Sequence, residues 1–226
     1  MTLIKRLAAL LFPPKCVLCG KVLEDRETDL CEHCRMNAPA CPVSRNKLPF
    51  LDSWLALWHY EGNVRGSLLR YKFYGRRHYA AAYGRLLAMK LSREREDGFD
   101  VITWVPISGL RKLRRGYDQV ELLADAVAGE LGMKPVRCLK KIRHNKAQSG
   151  ISGHAQRRAN VLGVYEAVEP EIFRDKRVLL LDDVLTSGAT AGECARILLT
   201  AGAKEVHFAA VAAANQHKKQ PKGEEI

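Results

Sequence analysis

At 226 residues and 47% apolar content, the chain can bury one substantial core and still carry a small appended module. Its formal charge of +12 is uneven: residues 51–150 hold 19 Lys/Arg against 10 Asp/Glu, while residues 151–226 hold 10 of each. Such a belt suits a polyanion, either a pyrophosphate-bearing sugar or a nucleic acid, and no apolar run reaches the ~18 residues that a membrane span requires.

Residues 1–12 join the cations Lys5 and Arg6 to a short apolar stretch that Pro13-Pro14 stops, which predicts a docking helix in a cytoplasmic protein rather than an export signal. Cys16, Cys19, Cys31 and Cys34 follow as two C-x₂-C pairs with eleven residues between them. That spacing lets two knuckles offer four thiolates to one tetrahedral ion, so it predicts structural zinc in a reducing compartment. The intervening segment is rich in charge and has little to fold around without a metal. Cys41 has no second cysteine beside it and reads as a spare thiol or the vestige of a further knuckle. Cys138 and Cys194 stand in apolar contexts that suit small buried hydrophobes.

Residues 54–60 have the aromatic and apolar content of a strand, and residues 64–73 and 79–91 read as helices. In the segment Tyr71-Lys72-Phe73-Tyr74-Gly75-Arg76, cations flank aromatics, which suits either a packed helix end with a basic rim or a stacking surface for single-stranded nucleic acid. A buried strand at 101–105 runs into a loop bearing Arg111, Lys112, Arg114 and Arg115, where a pyrophosphate group could be received. Residues 120–131 return to helical spacing. Residues 134–163 are basic, punctuated by glycine and weakly periodic, and read as a mobile excursion suited to a lid over the site.

The string VLLLDDVLTSGAT, residues 178–190, is the centre of the chain. Four apolar residues predict a buried strand ending on Asp182 and Asp183, and Thr186, Ser187, Gly188, Ala189 and Thr190 then form a hydroxyl-rich turn opening a helix over 191–199. Backbone N–H groups at a helix start lack intrahelical partners and converge on an anion, while carboxylates accept hydrogen bonds from sugar hydroxyls and help to hold Mg²⁺. One motif therefore suits a phosphate and a ribose diol together. A Gly-Lys-Ser/Thr phosphate loop and a G-x-G-x-x-G turn are both missing, which removes support for nucleotide triphosphatase and dinucleotide-binding readings. One more strand is expected at 205–214 and a disordered tail at 215–226. Strands alternating with helices predict an α/β parallel sheet with ligands beyond the carboxyl ends of its strands.

The string resembles the fingerprint of type I phosphoribosyltransferases, which bind 5-phosphoribosyl-1-pyrophosphate (PRPP). Together with the cysteine module, YKFYGR, VPISGLRKLRRGYDQ, QSG and RRANV, it is similar in order and spacing to the ComF family of competence-associated proteins, over residues from about 10 to 214. The resemblance implies a zinc finger over residues 1–48 joined to a phosphoribosyltransferase-like domain over 49–214. It also implies a cytoplasmic location and a link to uptake of transforming DNA beside a helicase-like translocase. By position, Asp182 and Asp183 would bind the ribose hydroxyls and serve as the catalytic acids, and Thr186 to Thr190 would bind the 5′-phosphate. Arg111, Arg114 and Arg115 are the candidates for pyrophosphate. The cofactors expected are structural Zn²⁺ and Mg²⁺ bound with PRPP. Two reaction readings stand: transfer of phosphoribosyl from PRPP to a nitrogen acceptor, or a non-catalytic PRPP sensor that binds single-stranded DNA. Asp118 stands where the family commonly has Asn, and of a second CxxCG only Cys41 remains.

Overall fold

The computed structural model describes residues 13–43, 48–95, 97–143 and 160–215. The docking helix expected at 1–12, the middle of the expected lid with Gln148-Ser149-Gly150 and Arg157-Arg158, and the tail from 216 lie outside the described residues.

In chain order the elements are α1 (Glu32–Asn37), β1 (Ser53–His59), α2 (Gly62–Phe73), α3 (Tyr79–Glu94), β2 (Val101–Trp104), α4 (Gly109–Arg115), α5 (Gln119–Glu130), β3 (Leu139–Lys141), β4 (Tyr165–Ala167), a 3₁₀ turn (Pro170–Ile172), β5 (Arg177–Leu185), α6 (Ala189–Thr200) and β6 (Glu205–Ala213). Four strands make one parallel sheet in the order β1-β6-β5-β2, with Leu181 of β5 opposite Trp104 on one side and Ala209 on the other. The near-continuous apolar runs of β5 and β6 follow from burial on both sheet faces.

Side chains alternate across a strand, so β5 splits its residues between two cores. Leu179 and Leu181 pack with Tyr83 and Leu87 of α3 and Leu123 and Val127 of α5. Val178 and Leu180 pack with Cys194 and Leu198 of α6, Phe173, and Tyr165 of β4. The first of these cores also takes in Cys16, Val17, Leu18, Leu30, Cys31 and Cys34, so the cysteine module is fused to the sheet domain by shared packing. The Ser67 hydroxyl donates to the Val17 carbonyl, Arg70 Nη2 donates to the Leu18 carbonyl at 2.6 Å, and Arg85 grips Asp29 through Nε and Nη2 at 3.0 and 2.5 Å.

Three expectations change. The central strand does not end at Asp182 and Asp183; it continues to Leu185, because β6 offers alanines at 210, 212 and 213 with which the backbone keeps pairing. The cationic loop after β2 is in part a helix, α4, which buries none of its residues and so lacks the apolar stripe that would betray it. The flanks of the expected excursion are ordered: β3 and β4 pair antiparallel, Lys140 opposite Glu166, and β4 packs on α6.

Candidate functional site

The parallel sheet gathers the carboxyl ends of β2 and β5 on one edge, and the predicted site residues lie there. Gly188 caps α6 with φ +76°, a left-handed conformation that glycine adopts without strain, and a Cβ at this position would come within 3.0 Å of Leu48 Cδ2. Thr186, Ser187 and Gly188 form the bend, Ala189 and Thr190 begin the helix, and the Ala189 amide faces Ser187 Oγ at 3.5 Å. Residues 48 and 49 flank this bend, a neighbourhood that the sequence order does not suggest.

Asp182 and Asp183 are adjacent in a strand and therefore leave it on opposite faces. Asp183 is buried; Lys72 Nζ pairs with its Oδ1 at 2.8 Å, and Gln119 Nε2 donates to its Oδ2 at 2.9 Å. Asp182 is half-buried, and its Oδ1 accepts the Asp183 amide at 2.7 Å. Burial, with the Asp183 charge beside it, pushes the Asp182 carboxyl well above the usual carboxylate range against the opposing pull of Lys72. The Asp182 charge is also felt by Lys141 of β3, whose ammonium lies 5.3 Å from the Tyr165 ring centroid. Burial and the neighbouring Arg111 charge bring that ammonium down to about 8.

The three candidate arginines separate. Arg111 is half-buried and interacts electrostatically with Lys141 and Tyr165, on the Asp182 side. Arg115 is half-buried on the Asp183 side, its guanidinium 4.9 Å above the Phe73 ring; burial lowers its pKa while Asp183 raises it. Arg114 is exposed, and no interaction with either acid is seen among the described residues. Next to them, Ser108 Oγ is buried without a hydrogen-bond partner among the described residues, as is Gln119 Oε1. A buried hydroxyl with no acceptor at the mouth of α4 suits an incoming anion. Asp118 caps α5, its Oδ1 accepting the Val120 and Glu121 amides at 2.9 and 3.2 Å, so the Asp found there is used structurally.

The sequence pattern missed Lys72 and Gln119 as neighbours of Asp183. Tyr71 OH donates to the Gln119 carbonyl at 2.5 Å, and Tyr117 OH donates to the Tyr71 carbonyl, which ties the end of α2 to the start of α5. Tyrosines on either side of Lys72-Phe73, and a glutamine opening α5, were the signals available.

Cys16, Cys19, Cys31 and Cys34 bring all four Sγ atoms within 4.8 Å of one another, with Cys19 and Cys31 sulfurs 3.7 Å apart. A tetrahedral zinc with Zn–S bonds of about 2.3 Å sets its sulfurs about 3.8 Å apart, so the quartet fits that ion. Burial raises the Cys16 thiol, but the backbone amides of Cys19, Cys31 and Leu18 outweigh it and bring the thiol down to about 7, whereas burial and the neighbouring thiols raise those of Cys19 and Cys34. Cys41 is packed in the other core, its amide donating to the Leu57 carbonyl. Cys138 and Cys194 are fully buried, as their contexts predict.

Known proteins match most of this chain. Residues 120–225 match the family model for a phosphoribosyl transferase domain, and residues 7–49 match that for a double zinc ribbon domain. Competence protein F of Haemophilus influenzae is 27% identical over 186 residues, covering 78% of this chain and 81% of the relative. Competence protein ComFC of Streptococcus pneumoniae is 27% identical over 223 residues, covering 85% and 96%. Over most of its length the chain is thus similar to ComF-type competence proteins. DNA utilization protein YhgH of Salmonella typhi is a further relative, 29% identical over 200 residues and covering 84% of this chain and 86% of its own. The fold is a phosphoribosyltransferase-like parallel sheet with an N-terminal zinc ribbon, and no described helix is long and apolar enough to cross a membrane.

Proposed function

We propose that this chain binds PRPP with Mg²⁺ at the edge formed by Asp182, Asp183 and residues 186–190, and that it acts in the uptake or processing of transforming DNA, the role that the names of its competence relatives suggest. The observation that carries the PRPP reading is the joining of a glycine-capped anion turn to a buried carboxylate that two side chains hold ready, Lys72 at 2.8 Å and Gln119 at 2.9 Å. The turn amides and hydroxyls suit the 5′-phosphate, and the Asp183 carboxylate suits the ribose diol.

The hard oxygens of Asp182 and Asp183 are the donors that fit Mg²⁺, an ion that usually takes one or two carboxylates and fills its shell with substrate phosphates and water. When bound, it would draw charge from the pyrophosphate. In the transfer reading, the C1–O bond breaks with its electron pair going to pyrophosphate, and an acceptor nitrogen bonds to C1 and then loses its proton to solvent. The protein supplies positioning and charge: Arg111 and Arg115 lie near the acids, whereas Arg114, exposed, is the weakest of the three pyrophosphate candidates.

Calorimetric titration of PRPP with Mg²⁺ tests this reading on wild type and on Asp183→Ala and Asp182→Ala. Binding by wild type that both variants lose supports it; an Asp183→Ala protein that binds as wild type does would overturn it.

A second reading, a PRPP-sensing scaffold for single-stranded DNA with a helicase-like partner, draws support from the exposed rings of Phe73 (61%) and Tyr74 (73%) next to exposed Arg76 and Arg77. It predicts salt-dependent DNA binding that survives neutralisation of both acids.

A further inference from the structure

Sequence order assigns the leaving group to the cations after β2, yet the cation nearest the acids comes from α2. Lys72 Nζ sits 2.8 Å from Asp183 Oδ1, with the lysine side chain 18% exposed and the carboxylate 7%. We propose that Lys72 is a pyrophosphate-binding residue, aimed by Asp183 at the leaving group of PRPP; the inference rests on the PRPP reading above and names one more residue of that site.

A buried ion pair is a poor device for stability alone, because desolvating both charges offsets most of their attraction. An apolar pair of similar volume would hold α2 as well. The surroundings instead favour aim. Tyr71, the residue before Lys72, is fixed by the hydrogen bonds that its hydroxyl makes and its carbonyl receives, and Gln119 holds the second oxygen of Asp183. Neither partner of the pair is free to drift.

Capacity remains on both sides. An ammonium has three donors and a carboxylate about four acceptor positions. With one proton of Lys72 on Asp183 and one amide proton of Gln119 on the other oxygen, Asp183 can still accept from a sugar diol while Lys72 donates elsewhere. In PRPP the pyrophosphate is carried on the carbon next to the 2-hydroxyl. A cation in contact with the diol's carboxylate is therefore within reach of the pyrophosphate oxygens, where negative charge grows as the C1–O bond breaks. Arg115, half-buried on the same Asp183 face and stacked over the adjacent Phe73, adds a second positive charge.

The test compares ligands with and without the leaving group. The full chain, as wild type, Lys72→Met and Lys72→Gln, is titrated with PRPP and with ribose 5-phosphate, both with Mg²⁺. Lys72→Gln keeps a donor for Asp183 and so guards against simple misfolding in the methionine variant. Loss of a charge-assisted contact predicts that both variants lose about tenfold or more in PRPP affinity beyond whatever they lose for ribose 5-phosphate. Equal weakening for the two ligands would show that Lys72 only supports the sugar site, and wild-type PRPP affinity in both variants would remove it from the site; either result overturns the proposal while leaving the PRPP reading intact. A wild-type protein that binds neither ligand overturns both.

Discussion

Removing the metal from the cysteine quartet should destabilise the whole molecule, not the ribbon alone. Val17, Leu18, Leu23 and Leu30 are each at most 8% exposed, and they pack in the same core as Tyr83, Leu87 and Leu123 of the sheet domain. Burying an aliphatic side chain of this size contributes roughly 1.5–3 kcal/mol, so the four together hold about 6–12 kcal/mol. Whole domains are stable by about 5–15 kcal/mol. Losing even about 3 kcal/mol of that packing lowers Tm by roughly 6–12 °C in a chain of this length. The assay is calorimetric melting with and without a zinc chelator, with metal content measured in the same samples. Because Ser67 and Arg70 of α2 bond to the ribbon backbone, PRPP affinity should weaken as well, through loosening of the helix that carries Lys72. Protein stripped of metal that melts within about 1 °C of the loaded form would refute the shared-core argument, since the packing would then not depend on the ion.

Two further outcomes follow from the packing and the electrostatics. Because burial and Asp183 raise the Asp182 carboxyl, the folded state holds that proton more tightly than the unfolded chain does; the stability it contributes is full below the unfolded value of about 4 and is lost as pH rises through the folded value. Asp182→Asn should therefore match wild type near pH 4 and melt above it as pH increases, in thermal scans without ligand; a gap between the two that does not change with pH would contradict the assignment. Gly84 of α3 lies against α5 so closely that a Cβ would come 2.4 Å from Ala126 Cβ and 2.8 Å from its carbonyl carbon. Gly84→Ala should then cost about 1–3 kcal/mol in denaturant unfolding despite its better helix propensity, and a stabilised variant would show that the two helices can part freely.

Why part of this site could be read from order alone, and part could not, comes down to the range of the forces involved. The β5–turn–α6 unit is local: an apolar run, a glycine able to take φ +76°, and a helix start are adjacent in the chain, so residues 178–190 announce their own geometry. The cysteine quartet is readable for a related reason, because a tetrahedral ion demands a fixed ligand spacing. The partners of Asp183 lie 111 and 64 residues away, at Lys72 and Gln119, and only the packing of α2 against the start of α5 brings them together. The helix α4 escaped notice because its 7 residues offer a single apolar pair, Leu110 and Leu113, among four cations, too short a run to show a helical period. The extension of β5 past the acids escaped for the opposite reason: small alanines on β6 permit pairing at positions where charge alone would suggest a strand end. That extension matters chemically, because it is what sends Asp182 and Asp183 to opposite faces of the sheet. A pair of acids at a frayed strand end could both turn toward one sugar, whereas acids held in a paired strand must divide their work. Asp183 meets Lys72, Gln119 and Arg115, while Asp182 faces Lys141 and feels Lys72 only as a weaker, more distant charge. Neutralising Asp183 should then loosen Lys72 and Arg115 and leave Lys141 in place, so Asp183→Ala and Asp182→Ala should lose affinity for PRPP and for ribose 5-phosphate in different proportions when both ligands are titrated; equal losses would refute the division.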